Sequence, residues 1–245
     1  MTLTGKTMGT PVTSASRAER WAGWCGLGMV GAIVINGPLS MAMGRMPNYW
    51  TDDARERIAE FLADPSNVDQ SIAFFALSNL IFVSGIGFFA GLRHLADRVD
   101  ETGWTKGVVT IGAALFLAGG LLSETLSTGI AVVLRSTPGY EFDVNSTLLL
   151  QGLWSTAIAQ AQVALGVVVG VLSAGALRRR ALPPWLGWLG VVAGATSILR
   201  PAVVTQVPVF IATFQPMFLW LAATSVVLVR SAGRSPSPQT TGKRG

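Results

Sequence analysis

The charged residues of this 245-residue chain are spaced so widely that they divide it into six long stretches with almost no charge. Between charges there are 24 residues from Arg20 to Arg45, 23 from Asp69 to Arg93, and 28 from Lys106 to Arg135, the last interrupted by Glu124. A further 34 separate Asp143 from Arg178, 19 separate Arg180 from Arg200, and 29 separate Arg200 from Arg230. A charge near the bilayer centre costs about 2.5 to 3.5 kcal/mol, and about 20 apolar residues cross a hydrocarbon core of ~30 Å. The spacing therefore predicts an all-α protein, a polytopic membrane bundle of six transmembrane helices.

Composition excludes several other classes. Only 13% of the residues are charged, half the usual share in a soluble domain, and 50% are hydrophobic. One cysteine excludes a disulfide within the chain, and one histidine beside it disfavours zinc, haem and iron-sulfur sites. No phosphate-binding or dinucleotide-binding glycine motif is present. We therefore expect no metal and no other cofactor.

The predicted loops place unequal numbers of basic residues on the two sides of the membrane. The predicted spans are about 22–44, 71–92, 107–134, 148–177, 185–204 and 208–229. One side receives thirteen lysines and arginines and the other receives five. The positive-inside rule then places both termini in the cytoplasm and the protein in the plasma membrane. The basic pI of about 10.1 follows from this topology, so we predict no nucleic-acid partner.

Three segments lie outside the predicted spans. Residues 52–63 place Ala54, Ile58, Phe61 and Leu62 on one helical face, which predicts a short amphipathic helix in the first outer loop. The two tails, residues 1–20 and 230–245, are polar and rich in Pro, Ser, Gly and Thr, which is typical of disordered cytoplasmic segments. The transmembrane domain is thus expected over residues 21–229.

Glycines recur at helix-packing spacing in the cytoplasmic halves of several spans. Examples are the pairs Gly87 and Gly91, and Gly166 and Gly170, and the run Gly187, Gly190 and Gly194. Small residues at this spacing let helix backbones approach closely in lipid. We expect this half of the bundle to be tightly packed and apolar. A homo-oligomer formed through these faces is left open.

Polar residues within the spans gather instead toward the extracytoplasmic side. In hydrocarbon each unpaired polar group costs several kcal/mol, so these side chains must face one another, water or a ligand. Gln151, Ser155 and Gln162 form one stripe of the fourth span, and Glu124 and Arg200 are expected to lie close together. We predict a pocket open to the outside that binds a small amphipathic or lipid-like ligand. Its predicted ligand-binding residues are Asn36, Asn79, Glu124, Gln151, Ser155, Gln160, Arg200 and Gln215.

Two other functions remain open. A desolvated, neutral Glu124 could serve as the catalytic general acid of an intramembrane enzyme acting on a lipophilic substrate, as in terpene cyclases. No second carboxylate in the core supports this hypothesis. A structural, oligomerising membrane protein would require only the glycine faces.

The stretch RRRALPPWLGWLGVVAGA, residues 178–195, has a basic turn, a Leu-Pro step and a Trp-Leu-Gly helix start. It resembles the connection between the fourth and fifth spans of bacterial, especially actinobacterial, six-helix integral membrane proteins of unknown function, of the type called domain of unknown function 4386. The number and order of spans agree over about residues 20 to 230. The resemblance implies the six-helix architecture and no activity.

Overall fold

The computed structural model describes residues 12–42, 52–137, 143–203, 209 and 212–231. All regular secondary structure in these ranges is helical. The helices are α1 (Val12–Ala42), α2 (Ala54–Ala63), α3 (Pro65–Val99), α4 (Trp104–Ser136), α5 (Val144–Arg179), α6 (Pro184–Leu199) and α7 (Gln215–Ser231), with a 3-10 helix (Arg200–Val203) after α6.

All the helices except α2 and the 3-10 helix form a ring of six. Each packs against the next of the six along the chain, and α7 closes the ring by packing on α1. Neighbours run antiparallel, so α1 begins and α7 ends at the same end, where Gly23 lies against Val229. We call this the basic end because it carries nine of the thirteen lysines and arginines in the described ranges, and we call the opposite one the far end.

Within the described ranges, four helices are long and apolar enough to cross a membrane: Asp69–Val99, Trp104–Ser136, Val144–Arg179 and Pro184–Val203. A shorter apolar helix covers Gln215–Arg230. Large apolar side chains cover the outside of the ring, among them Val83, Ile111 and Leu149, each about two-thirds exposed at 65%, 65% and 66%. Water would penalise so apolar a perimeter, whereas acyl chains solvate it. The fold is therefore that of a helical membrane bundle.

Glycines bring the helix backbones into contact, as predicted. A Cβ added to Gly194 on α6 would lie 2.7 Å from the Gly166 carbonyl oxygen and 2.8 Å from the Gly170 Cα on α5. On α3, Gly87 lies against the Cys25 side chain and Gly91 against Ala22, both on α1. Only residues without a Cβ allow such close approach. These two seams close the ring toward its basic end.

Carboxylates fix three helix starts. Asp143 caps α5 by accepting hydrogen bonds from the Asn145 and Ser146 amides, at 2.8 and 3.0 Å. In the turn before α4, Asp100 accepts from the Thr102 hydroxyl at 2.6 Å and the Thr105 amide at 2.8 Å. The Ser146 hydroxyl lowers the pKa of Asp143, and the Thr102 hydroxyl lowers that of Asp100. The backbone amide of Ser66 likewise lowers the pKa of Asp64.

The predicted amphipathic helix is confirmed as α2, which lies at the far end with Ala54, Ile58 and Phe61 buried. The Arg55 guanidinium donates to the Asn145 Oδ1 atom at 2.8 Å, which ties α2 to the start of α5. Phe61 packs with Ile130 of α4. The helix therefore packs on the mouth of the ring.

Helix α1 begins at Val12, so residues 12–20 are helical and the tail predicted for residues 1–20 is wrong over this stretch. The physical reason is tertiary: the buried Glu19 carboxylate pairs with the Arg98 guanidinium of α3 at 3.0 Å. Residues 1–11 and 232–245 lie outside the described residues, and so do the predictions that concern them.

Candidate functional site

The polar stripe of α5 faces the interior of the ring. Gln151, Ser155 and Gln162 are 4%, 1% and 7% exposed. At about 100° per residue these three positions fall within about 40° of one another on the helix. The prediction that they share a face is confirmed, and their burial makes them interior groups.

Four polar residues from four helices lie at one level in the far half of the ring. The Asn36 amide nitrogen on α1 donates to the Ser78 hydroxyl on α3 at 3.0 Å. Gly120 packs on the Phe82 ring, so in antiparallel helices Glu124 of α4 comes level with Ser78. Gly119 packs on Ala161 in the same way, which brings Glu124 level with Ser155 of α5. We call Asn36, Ser78, Glu124 and Ser155 the polar layer.

Ser78 and Ser155 are each 1% exposed, while Asn36 and Glu124 are half-buried. The layer therefore extends from the ring interior toward its margin. The Ser155 hydroxyl also donates to the Gly152 carbonyl oxygen of its own helix, at 3.2 Å.

Two further buried groups can accept hydrogen bonds, Ser123 beside this layer and Gln162 about 10 Å along α5 from it. The Ser123 hydroxyl, on a fully buried residue of α4, has no hydrogen-bond partner among the described residues. Within the same ranges, the Oε1 atom of Gln162 accepts no hydrogen bond either. A buried polar atom without a partner costs about 1 to 3 kcal/mol, which water or a ligand would recover.

Arg200 follows α6 as a buried cation, 6% exposed. Its guanidinium carbon lies 5.2 Å from the centroid of the Phe214 ring, a cation–π geometry. Gly166 packs on Ser197, so the antiparallel register brings Arg200 level with about residue 163, beside Gln162. Pro201 explains why α6 ends at Leu199, because proline has no amide hydrogen to continue the helix.

The backbones of Arg200 and Glu124 therefore lie at different heights. Glu124 is level with about residue 156 of α5 and Arg200 with about residue 163, so roughly 10 Å of helix rise separates them. A direct pair would require both side chains to extend toward each other along the ring axis. The predicted Glu124–Arg200 pair stays a prediction.

Three predicted pocket residues are not brought into this group. Gln160 lies about 140° around α5 from Ser155 and is exposed. The structure therefore corrects the prediction that Gln160 lines the pocket. Gln215, the first residue of α7, is also exposed. Asn79 is half-buried and its amide nitrogen donates to the Phe75 carbonyl oxygen of its own helix at 3.0 Å.

Sequence reasoning missed Ser78 and Ser123 in this region. Both lie on buried helical stripes that a wheel could have revealed: Ser78 with Phe82 and Gly85, and Ser123 with Phe116 and Gly120. A serine within an apolar span does not by itself indicate a polar site. Its hydroxyl can donate to a backbone carbonyl of its own helix and then needs no partner on another helix.

The half of the ring near the basic end is not wholly apolar, contrary to the prediction. Ser173 on α5, Trp220 and Thr224 on α7 are each 0% exposed, and none of their side-chain polar atoms has a hydrogen-bond partner in the described part of the chain. Gly190 of α6 lies between Ser173 and Trp220. Tight packing is confirmed here, and a purely apolar interior is wrong.

Comparisons with protein-family models, curated proteins and solved structures found no match to this chain. Among the described residues, no group of three or more His, Cys, Asp or Glu side chains could hold a metal ion.

Proposed function

We propose that this chain is a six-span protein of the plasma membrane that binds a small amphipathic or lipid-like ligand in the far half of its ring. The observation that carries the proposal is the polar layer, Asn36, Ser78, Glu124 and Ser155. With it goes the buried Oε1 atom of Gln162, which accepts no hydrogen bond from the described residues. Four helices contribute polar groups to one level of the far half, and a ligand donor that bonded the Gln162 Oε1 atom would recover the cost of burying that atom without a partner among the described residues.

Charge and aromatic residues support an orientation with the basic end in the cytoplasm. Nine described lysines and arginines lie there, against four toward the far end, of which Arg200 is buried. Trp21, Trp104 and Trp185 lie near the basic ends of α1, α4 and α6 and are 67%, 64% and 58% exposed. Tryptophan at helix ends is typical of a membrane interface, and basic residues favour the cytoplasmic side.

The two heights of polar groups suit a ligand with a polar head and an apolar body. Roughly 10 Å of rise separates the polar layer from the level of Arg200 and Gln162. A ligand head could accept from Arg200 or donate to Gln162, while its body lies among apolar side chains of the ring.

The direct experiment is extraction and mass spectrometry of small molecules that copurify with the detergent-solubilised protein. We expect a bound amphiphile in the wild type and its loss in Glu124→Gln and Gln162→Leu. Gln160→Leu is the matched control, because this exposed glutamine lies on the same helix. Equal retention of the amphiphile in Gln162→Leu and Gln160→Leu would contradict the proposal.

The same samples separate the alternative functions. An enzyme would release an altered copurified molecule, and Glu124→Gln would stop that conversion while the protein remained folded. The hypothesis of a structural, oligomerising membrane protein has less support than before. The glycines on which it depends face helices of the same chain: Gly87, Gly91, Gly166 and Gly194. The homo-oligomer stays a prediction, as does the resemblance of residues 178–195 to the bacterial six-helix proteins.

Orientation is testable with single cysteines, introduced into a Cys25→Ser background and labelled in intact cells by a membrane-impermeant maleimide. Thr102→Cys at the basic end and Glu56→Cys in α2 are both exposed positions. We expect labelling from outside at position 56 only. Labelling from outside at position 102 would reverse the proposed orientation.

A further inference from the structure

A groove of about 410 Å³ runs along the outer face of the seam between α4 and α5. Its floor is made of small residues, including Gly107, Gly112 and Ala164, and its walls are Trp104, Ile111 and Val167. A Cβ added to Gly107 would meet nothing within 4 Å. The groove is therefore an open apolar channel on the lipid-facing surface.

The groove has the length of one leaflet. It runs along α4 from Trp104 to Leu115, which is roughly 16 Å of helix rise, or about half of the ~30 Å hydrocarbon core. It starts at the basic end and stops near the middle of the ring. An acyl chain of the leaflet at the basic end matches this extent.

A second, polar pocket of about 610 Å³ continues the groove at the basic end, and Trp104 lines both. Arg178, Arg179 and Asp100 contribute its charged groups. The Arg178 guanidinium has no ion-pair partner among the described residues, and Arg179 is paired only at the surface, with Glu101 at 3.5 Å. Asp100 is occupied by hydrogen bonds from its own turn.

The polar pocket therefore presents guanidinium groups to a ligand beside an exposed tryptophan. Arginine binds phosphate through paired N–H donors, and basic residues at the cytoplasmic membrane surface attract anionic lipids. Tryptophan prefers the headgroup level. The basic polar pocket and the leaflet-length groove thus favour the same kind of ligand, a lipid with an anionic head.

We propose that the groove and the polar pocket form one binding site for an anionic phospholipid of the leaflet at the basic end. The phosphate lies at Arg178 and Arg179, and one acyl chain lies in the groove between α4 and α5. This site is separate from the polar layer and from Arg200.

The test is native mass spectrometry of the full chain in detergent, titrated with dioleoyl phosphatidylglycerol or with dioleoyl phosphatidylcholine. We expect the double variant R178Q/R179Q to weaken phosphatidylglycerol binding about tenfold or more and to weaken phosphatidylcholine binding less, because the choline cation makes that headgroup neutral overall. The matched control is R93Q/R230Q, two exposed arginines of the basic end outside the pocket.

A second variant tests the acyl-chain groove and does not depend on the arginines. A Cβ at Gly107 meets nothing within 4 Å, so Gly107→Leu can place its side chain in the groove and should weaken binding of both lipids at least severalfold. Gly129→Leu is its control, because a Cβ on this glycine of α4 also meets nothing within 4 Å but the residue lies toward the far end.

Three results would overturn the proposal: equal affinity for the two lipids in the wild type, equal losses in R178Q/R179Q and R93Q/R230Q, or equal effects of the two leucine variants. Displacement of phosphatidylglycerol by millimolar inorganic phosphate alone would replace the lipid site with a site for free phosphate. Glu124→Gln and Gln162→Leu should leave phosphatidylglycerol binding intact, which separates this site from the proposed far-half ligand.

Discussion

The two halves of the ring are held together in different ways. Toward the basic end, helix backbones touch through glycines, as where Gly194 lies against Gly166 and Gly170. In the far half, interior side chains also connect the helices, as where Asn36 bonds Ser78 and Arg200 faces the Phe214 ring. Backbone contact leaves no room for a ligand, whereas side-chain contact can be exchanged for ligand contact. The comparison indicates a rigid half and an adaptable half.

The largest expected effect comes from separating the backbones in the glycine half. Gly194→Val would push its side chain into the carbonyl oxygen and Cα atoms of α5, which no rotamer can avoid. Overpacking costs about 1 to 3 kcal/mol where side chains can yield, and we expect more than about 3 kcal/mol here. Gly129→Val, with open space around it, should change the free energy of unfolding by less than about 1 kcal/mol.

Unfolding in mixed micelles, followed by tryptophan fluorescence, measures both variants. If Gly194→Val and Gly129→Val unfolded alike, the glycine seam would not be the rigid part of the ring.

A smaller effect is expected from the aromatic partner of Arg200 in the far half. Phe214→Leu removes the ring that faces the buried guanidinium, and a desolvated cation–π contact contributes about 2 kcal/mol. Phe214→Tyr keeps the aromatic face and should retain most of this stability. The measurement is the free energy of unfolding of the two variants in the same micelles.

Equal losses in both Phe214 variants would show that the site responds to shape and that the cation–π contact contributes little. The far half would then resemble the glycine half in depending on packing alone.

Much of the architecture could be predicted because charge is so costly in hydrocarbon. The gap from Asp69 to Arg93 lies within α3, and the break at Arg200 and Pro201 ends α6. The inward face of Gln151 and Ser155 followed from helical periodicity. The same wheel would have excluded Gln160, which lies on the far side of α5 from them.

Other features depend on which helices become neighbours, which local patterns do not encode. The extension of α1 to Val12 is supported by Glu19 and Arg98, which are 79 positions apart in sequence. The burial of Ser173 arises because Gly190 admits it between α6 and α7. Gln215 could not be placed from its span, since its exposure depends on how α7 meets the rest of the ring.

Serines in the two halves should respond oppositely to alanine. The buried Ser173 hydroxyl has no partner in the described residues, so Ser173→Ala should raise the free energy of unfolding by about 1 kcal/mol. Ser155→Ala removes a hydroxyl that donates to Gly152, so we expect a loss of about 0.5 to 1.5 kcal/mol. Chemical unfolding of both variants checks the signs, and a loss in Ser173→Ala would mean that its hydroxyl is already satisfied.

The smallest effect concerns acid sensitivity, and it compares the turn before α4 at the basic end with the cap of α5 at the far end. Hydrogen bonds lower the pKa of Asp100 and Asp143 below the ordinary value of 3.8. Each carboxylate therefore stabilises the fold fully above about pH 4, and this stability is lost as pH falls through the lowered folded-state pKa.

Asp100→Asn and Asp143→Asn should each flatten the dependence of Tm on pH between pH 5 and pH 2, measured by scanning fluorimetry in detergent. We expect the larger flattening for Asp100→Asn, because its carboxylate accepts from both Thr102 and Thr105 and its pKa is lowered furthest. Glu101→Gln, in the same turn but without these hydrogen bonds, is the matched control. An acid profile unchanged by Asp100→Asn would show that this turn does not limit stability at low pH.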